Sequence, residues 1–265
     1  MLELILHDLL RQTEERLSPS RYYPQPDALG YVKMPSYDEA IKNEEALREI
    51  AEVLYQREVP ELEMEEKRYN HKGVRRVEVG EKDAFYLKKS WEYDGSASAA
   101  AKEALGMTLS NLLIVSPFEF RFYGKTVAIK EIRGKTVREM ARRQRRYLHQ
   151  KDYAQAYGEA IELTEALQLG DRSDVNLIYD GRRLINIDFG QLFKGKYGLA
   201  ICEPSKMDAL QKGRLATRNK ITKVIQERQE EIVQLLQLAE QHGGPRAEVG
   251  LEILEDYLNS NKGIQ

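Results

Sequence analysis

Apolar positions along this chain recur with helical spacing toward both ends and with strand spacing through much of the middle. Leu2, Leu4, Ile5, Leu9 and Leu10 make one apolar face, and Ser36 is an N-cap for a helix over Tyr37 to Gln56, so residues 1–65 read as helical. Between these helices Ser18 to Pro35 carries Tyr22, Tyr23, Pro24, Pro26, Gly30 and Pro35 and reads as an extended loop, and Pro60 closes the segment. The period then shortens. Val74 to Val79 and Ala84 to Lys88 flank Gly80-Glu-Lys-Asp83 as a hairpin, and an Ala-rich helix over Ser96 to Leu109 follows. Phe118 to Tyr123 and Thr126 to Ile132 form a second hairpin around Gly124-Lys125. Thr136 to Leu167 reads as helical. A third, short hairpin pairs Leu177-Ile-Tyr179 with Leu184 to Ile187 across Asp180-Gly181, a type I′ turn signal. Ser205 to His242 is helical, is broken at Gly243-Gly-Pro245, and resumes over Glu248 to Leu258.

The 265 residues are 42% apolar and 32% charged, enough for a substantial core in a soluble protein. A net charge of −2 gives no global attraction to nucleic acid or anionic membrane, so any such affinity would need a local patch. Cys202 is the only cysteine, which excludes an internal disulfide and a cysteine metal site and suits a reducing, cytoplasmic compartment. Met1 to Leu10 contains Glu3, His7 and Asp8, and is expected to be neither a signal peptide nor a membrane span. His7, His71, His149 and His242 have no ligand spacing, and the 15 tyrosines carry no assignable chemistry.

Chemistry concentrates in Leu169 to Gly190, where Asp171 and Asn176 precede the short hairpin and Asp188-Phe189-Gly190 follows it. A carboxylate, an amide and a second carboxylate at these offsets suit phosphoryl transfer. Asp171 would orient an attacking hydroxyl, while Asn176 and Asp188 would hold Mg²⁺ on the phosphates of ATP. A phosphate-gripping lysine is then required. Val127-Ala-Ile-Lys130 spells the kinase strand signature, but the roughly forty residues from Lys130 to Asp171 cannot hold a helix, two strands, a hinge and two more helices. Lys130 therefore belongs to the strand entering the hinge. Lys88, which follows apolar Leu87, is preferred to Lys89, and Glu103, the only acid between Ser96 and Ser116, is its expected partner. Adenine contacts are expected from backbone groups of the hinge at Glu131 and Ile132. No Gly-x-Gly-x-x-Gly loop is present, leaving Gly73 and Gly80 as possible turns over the phosphates.

Gly170-Asp-Arg-x-x-x-Asn-Leu-Ile, Asp180-Gly, and Asn186-Ile-Asp-Phe-Gly-Gln resemble the catalytic core of the phosphoinositide 3-/4-kinase family, and small bacterial effector kinases are similar in size. Ser173 stands where those lipid kinases place a histidine. The Glu131 to Val137 stretch is similar to the hinge of the RIO-type and aminoglycoside-phosphotransferase branches. The resemblance implies an α+β, bilobal kinase-like fold: an N-terminal helical extension over 1–65, a small β-rich lobe over 66–131 and a reduced helical lobe over 132–265. With the set of Lys88, Glu103, Asp171, Asn176 and Asp188, the expectation is an ATP- and Mg²⁺-dependent kinase acting on a hydroxyl, with protein the first acceptor expected, phosphoinositide next, and RNA or a small molecule after them. A nucleotide-binding pseudokinase scaffold and a kinase-fold nucleotidyltransferase are the alternatives. An effector would work in a host cytosol. The long segment and Ala-Pro-Glu anchor that normally follow the triplet are missing. Arg138, Arg142 and Arg146 share one helix face, either to dock a polyanionic acceptor or as a solvated face paired with Glu139 and Asp152.

Overall fold

The computed structural model describes residues 23–59, 61–64, 73–90, 99–143, 147, 149–170, 173–194 and 205–261. The fold is α+β. Its first sheet is antiparallel, in the order β1–β2–β3–β5–β4, from β1 (Leu62–Met64), β2 (Val74–Val79), β3 (Asp83–Lys89), β4 (Phe120–Tyr123) and β5 (Thr126–Lys130). The β1 strand lies inside the stretch read as helical, a correction. Three residues carry too short a pattern to declare a strand, and pairing with β2 makes this one.

Because successive strand residues point to opposite faces, the register sorts this sheet. Val77, Val79, Phe85, Leu87 and Ala128 are buried on one face with the first two helices, α1 (Tyr37–Ala40) and α2 (Glu44–Tyr55). These helices were read as one. Ser36 does cap the first, through a capping box with Glu39, but the Asn43 side chain accepts from the Glu45 N–H and starts a second helix. Phe120, Phe122 and Val127 occupy the opposite face, against α3 (Ala99–Ile114). The α3 helix has no polar side: Ala100, Lys102, Glu103, Leu105, Gly106, Leu109 and Ser110 are all buried. Buried on every side, this helix lies between the sheet and the C-terminal helices.

A second sheet, β6 (Lys135–Thr136), β7 (Leu177–Tyr179) and β8 (Leu184–Asn186), is also antiparallel. The turn joining β7 and β8 is not type I′, which needs two adjacent positive φ values. Only Gly181 has one, φ 100°. The Asp180 carboxylate instead accepts from the N–H groups of Arg182 and Arg183 and widens the connection to four residues.

The remaining helices are α4 (Val137–Arg143), α5 (Lys151–Ala166), α6 (Met207–Glu227), α7 (Gln229–Gln241) and α8 (Ala247–Asn261). The break at Arg228 (φ −118°, ψ 29°) was not visible in the apolar pattern, which runs through it. Gly158 and Gly213 let α5 and α6 approach backbone to backbone, since a Cβ at either would overlap a carbonyl oxygen of the facing helix. Glu162, fully buried on α5, accepts from Arg214 and Arg218 of α6 and from Tyr257 of α8. Gly30 to Val32 run along the outer edge of β4, where the Val32 N–H donates to Phe122 O at 3.1 Å. Asp27 meets His242, at the end of α7, at 2.9 Å. No helix among the described residues is long and apolar enough to cross a membrane.

Candidate functional site

Lys88 is on the α3-facing side of the first sheet, because its cross-strand partner is Val127 and because Phe85 and Leu87 take the other side. Its ammonium donates to Glu103 Oε1 at 2.9 Å and to Asp188 Oδ1 at 3.1 Å. Burial works against the Lys88 charge, but Glu103 and Asp188 together outweigh it and hold the pKa above the ordinary lysine value. Burial pushes the Glu103 carboxyl up, with Lys88 opposing and Asp188 adding to the rise. The three side chains sum formally to one negative charge, and the Asp188 side chain is 48% exposed.

Asp188 follows β8 in a left-handed conformation, φ 64°, which aspartate tolerates better than most side chains. The turn sends consecutive side chains apart. Asp188 reaches Lys88, while Phe189 is fully buried and meets the Phe118 ring edge-on at 5.6 Å. Gly106 of α3 makes room for that ring: a Cβ there would sit 2.5 Å from Phe189 Cβ. Asn176 is buried one residue before β7, and its carbonyl accepts from the Ile187 N–H at 2.9 Å, which ties it to the residue preceding Asp188. The Gly170 N–H donates to Gln191 O at 3.1 Å, so the residue before Asp171 is held against the one that follows the triplet. Asp171 itself lies outside the described residues.

The other lysines are elsewhere. Lys89 pairs with Asp38 of α1 on the far side of the sheet. Lys130 pairs in register with Phe85, hence on the face away from Lys88. It contacts Glu119 and lies over the Tyr55 ring, 4.8 Å from its centroid. Just past β5 the Glu131 N–H donates to Ala84 O at 2.8 Å, and its carboxylate receives Arg76 Nε at 2.7 Å and the Tyr86 hydroxyl at 3.3 Å. Ile132, the other residue from which adenine contacts were expected, packs partly buried against the main core. Of the arginine stripe, Arg138 pairs with Asp174, at 3.0 Å, rather than with Glu139, whose carboxylate accepts from the Thr136 N–H. The side chains of Arg142 and Arg146 lie outside the described residues.

Three residues of this site were not singled out from the sequence. Gly106 did leave a signal, since a glycine inside a long helix costs about 1 kcal/mol against alanine and needs a packing reason. Arg76 and Tyr86 share the Lys88 face by strand alternation, but only the fold brings Glu131 to them.

Among the described residues no group of three or more His, Cys, Asp or Glu could hold a metal ion by itself. The donor chemistry nonetheless fits Mg²⁺, which takes one or two protein oxygens and completes its shell with phosphate and water. Asp188 offers a half-exposed carboxylate and Asn176 an amide. A cavity of about 530 Å³ opens elsewhere, between α3 and α7. It is lined by Asn111, Gln234, Gln237 and Leu238, and its charged pair, Arg228 and Glu231, meets at 2.6 Å and offers no net charge to a phosphate. The chain matches no protein-family model, and no curated protein matches it.

Proposed function

We propose that this protein is an ATP-dependent kinase with a bilobal kinase-like fold, transferring the γ-phosphate to a hydroxyl group. The observation that carries the reading is Lys88 bonded to both Glu103 and Asp188, three residues far apart in the chain that meet in one partly buried cluster. Glu103, inside α3, holds the lysine toward the site, where its ammonium would bind α- and β-phosphate oxygens. Asp188 and Asn176 would hold Mg²⁺, which on binding neutralises charge on the phosphate chain. Asp171 would orient the acceptor hydroxyl and take up its proton as the oxygen attacks phosphorus. The first sheet with α1 to α3 would form the upper lobe, residues from the hinge onward the lower one. A protein hydroxyl is the first acceptor to test and a phosphoinositide the second.

The test is release of phosphate from ATP, and its transfer to protein, lipid and RNA fractions, with Mg²⁺ present. Asp188→Ala should abolish transfer, and Lys88→Ala should lower turnover by orders of magnitude. Lys130→Ala, on the opposite sheet face, should change it little. Transfer that persists in Asp188→Ala would reject the assignment.

A further inference from the structure

The cavity of about 530 Å³ between α3 and α7 is a groove between two helical stripes. On α3 it is lined by Thr108 and Leu112, one turn apart. On α7 the lining residues Gln234, Leu238 and Gln241 recur at i, i+4 and i+7, with Leu235 beside them. Leu235 is buried, Leu112 and Leu238 are partly buried against the main core, and Gln234 and Gln241 are exposed. An apolar floor edged by neutral amides between two helices suits the apolar face of a third. Ala28 also lines the groove. It stands five residues after Tyr23, where the described residues begin, so Tyr23 lies within about 18 Å of it.

Residues 1–22 lie outside the described residues. In the sequence, Leu2, Ile5, Leu6, Leu9 and Leu10 recur at i, i+3, i+4, i+7 and i+8, the spacing of one apolar helix face, with Asp8, Arg11 and Glu15 on the opposite side. An isolated helix of this length is marginal in water, so such a face needs something to pack against. Leu2 to Leu17 as a helix would be about 24 Å long, against about 20 Å for α7. Ser18-Pro-Ser-Arg-Tyr22 follows, and the six steps from Leu17 to Tyr23 reach up to about 20 Å, enough to return to the groove beside Ala28.

We propose that the groove between α3 and α7 is the docking site of residues 2–17 of the same chain, held as an amphipathic helix through Leu2, Ile5, Leu6, Leu9 and Leu10. Thr108 and Leu112 follow Glu103 along α3, so an occupied groove braces the helix that carries Glu103. The docking does not depend on the nucleotide reading, and none of its tests uses ATP.

The experiment uses the full chain, with the photo-crosslinker p-benzoylphenylalanine introduced at Gln12, beside the apolar face. Crosslinks should form within one chain, onto 108–112 or 231–241. In amide hydrogen exchange, Leu6→Asp together with Leu9→Asp should speed exchange of α7 and the end of α3 by about 10- to 100-fold, the worth of burying one leucine, and should leave α5 unchanged. Leu6→Met together with Leu9→Met should keep native exchange. Both positions lie outside the described elements, so the aspartates remove nothing from the packing of α3 against α7. Crosslinks between chains, with a dimer by light scattering, would put a second copy in the groove and overturn the proposal. Crosslinks onto other elements, unchanged exchange at the groove, or an equal increase throughout the chain would overturn it as well. Phosphatidylcholine–phosphatidylglycerol vesicles are the last probe. Capture of the native chain that the aspartate pair abolishes, with groove exchange unaltered, would assign the apolar face to a membrane instead.

Discussion

Replacing Gly106 by alanine should disable the site from behind. The new methyl would stand 2.5 Å from Phe189 Cβ and would overlap the ring as well. Ordinary carbon contacts are about 3.5–4.0 Å, so helix and ring must separate by roughly 1 Å. Phe189 cannot rotate away, because the clash includes its own Cβ and because the ring is wholly buried against Phe118. Overpacking of this kind costs about 1–3 kcal/mol, offset by about 1 kcal/mol of better helix propensity. A net loss near 1 kcal/mol should lower the melting temperature by roughly 2–4 °C. The larger effect is on chemistry. Phe189 is covalently next to Asp188, and Glu103 lies on α3 one turn before Gly106, so the shift separates the groups that meet at Lys88. A displacement near 1 Å can cost about a hundredfold in rate. Urea denaturation and steady-state phosphate release, read at a temperature where the variant is folded, measure the two effects. Gly213→Ala is the control: its Cβ overlaps Gln155 O between α5 and α6, so it should destabilise while sparing the turnover of folded protein. A Gly106→Ala variant within 0.5 kcal/mol of the native protein, the range of neutral surface changes, and with native turnover would refute the argument.

Two further outcomes follow from buried charge. Glu162→Gln should cost about 3–5 kcal/mol in urea denaturation, toward the lower end because Glu165 still meets Arg214 at 2.8 Å; a loss below about 1 kcal/mol would mean the three helices do not depend on this cluster. Burial and the adjacent Glu162 raise the Tyr257 pKa, so its hydroxyl stays a donor there throughout the neutral range. Glu131 sets an acid limb. Its folded pKa lies below the ordinary 4.5, chiefly through the Arg76 hydrogen bond, so its stabilisation is complete above 4.5 and is lost as pH falls through the folded value. Arg76→Leu should flatten that part of a melting-temperature profile taken between about pH 3 and 6, and an unchanged slope would show that the pair contributes nothing.

Where order depends on near neighbours, the chain declared it in advance. Alternation marked β2 and β3, a run of small and apolar residues marked α3, and Ser36 marked the start of α1. The absence of any other acid between Ser96 and Ser116 made Glu103 the partner available to Lys88, and the fold joins the two at 2.9 Å. Chain length argued against Lys130, and the register puts the two lysines on opposite faces, Lys130 with Phe85 and Lys88 with Val127. Other features depend on residues far apart in sequence, and no local period reports them. β1 is a strand because β2 offers it an edge. Asn43 and Arg228 interrupt helices whose apolar pattern continues past them. Gly106 has its purpose only once Phe189 arrives from 83 positions away. Arg76, Tyr86 and Glu131 are an unremarkable arginine, tyrosine and glutamate in the sequence. Their meeting just past the end of β5 was decided by the strand register, because hydrogen bonds act over about 3 Å in space and are indifferent to separation along the chain.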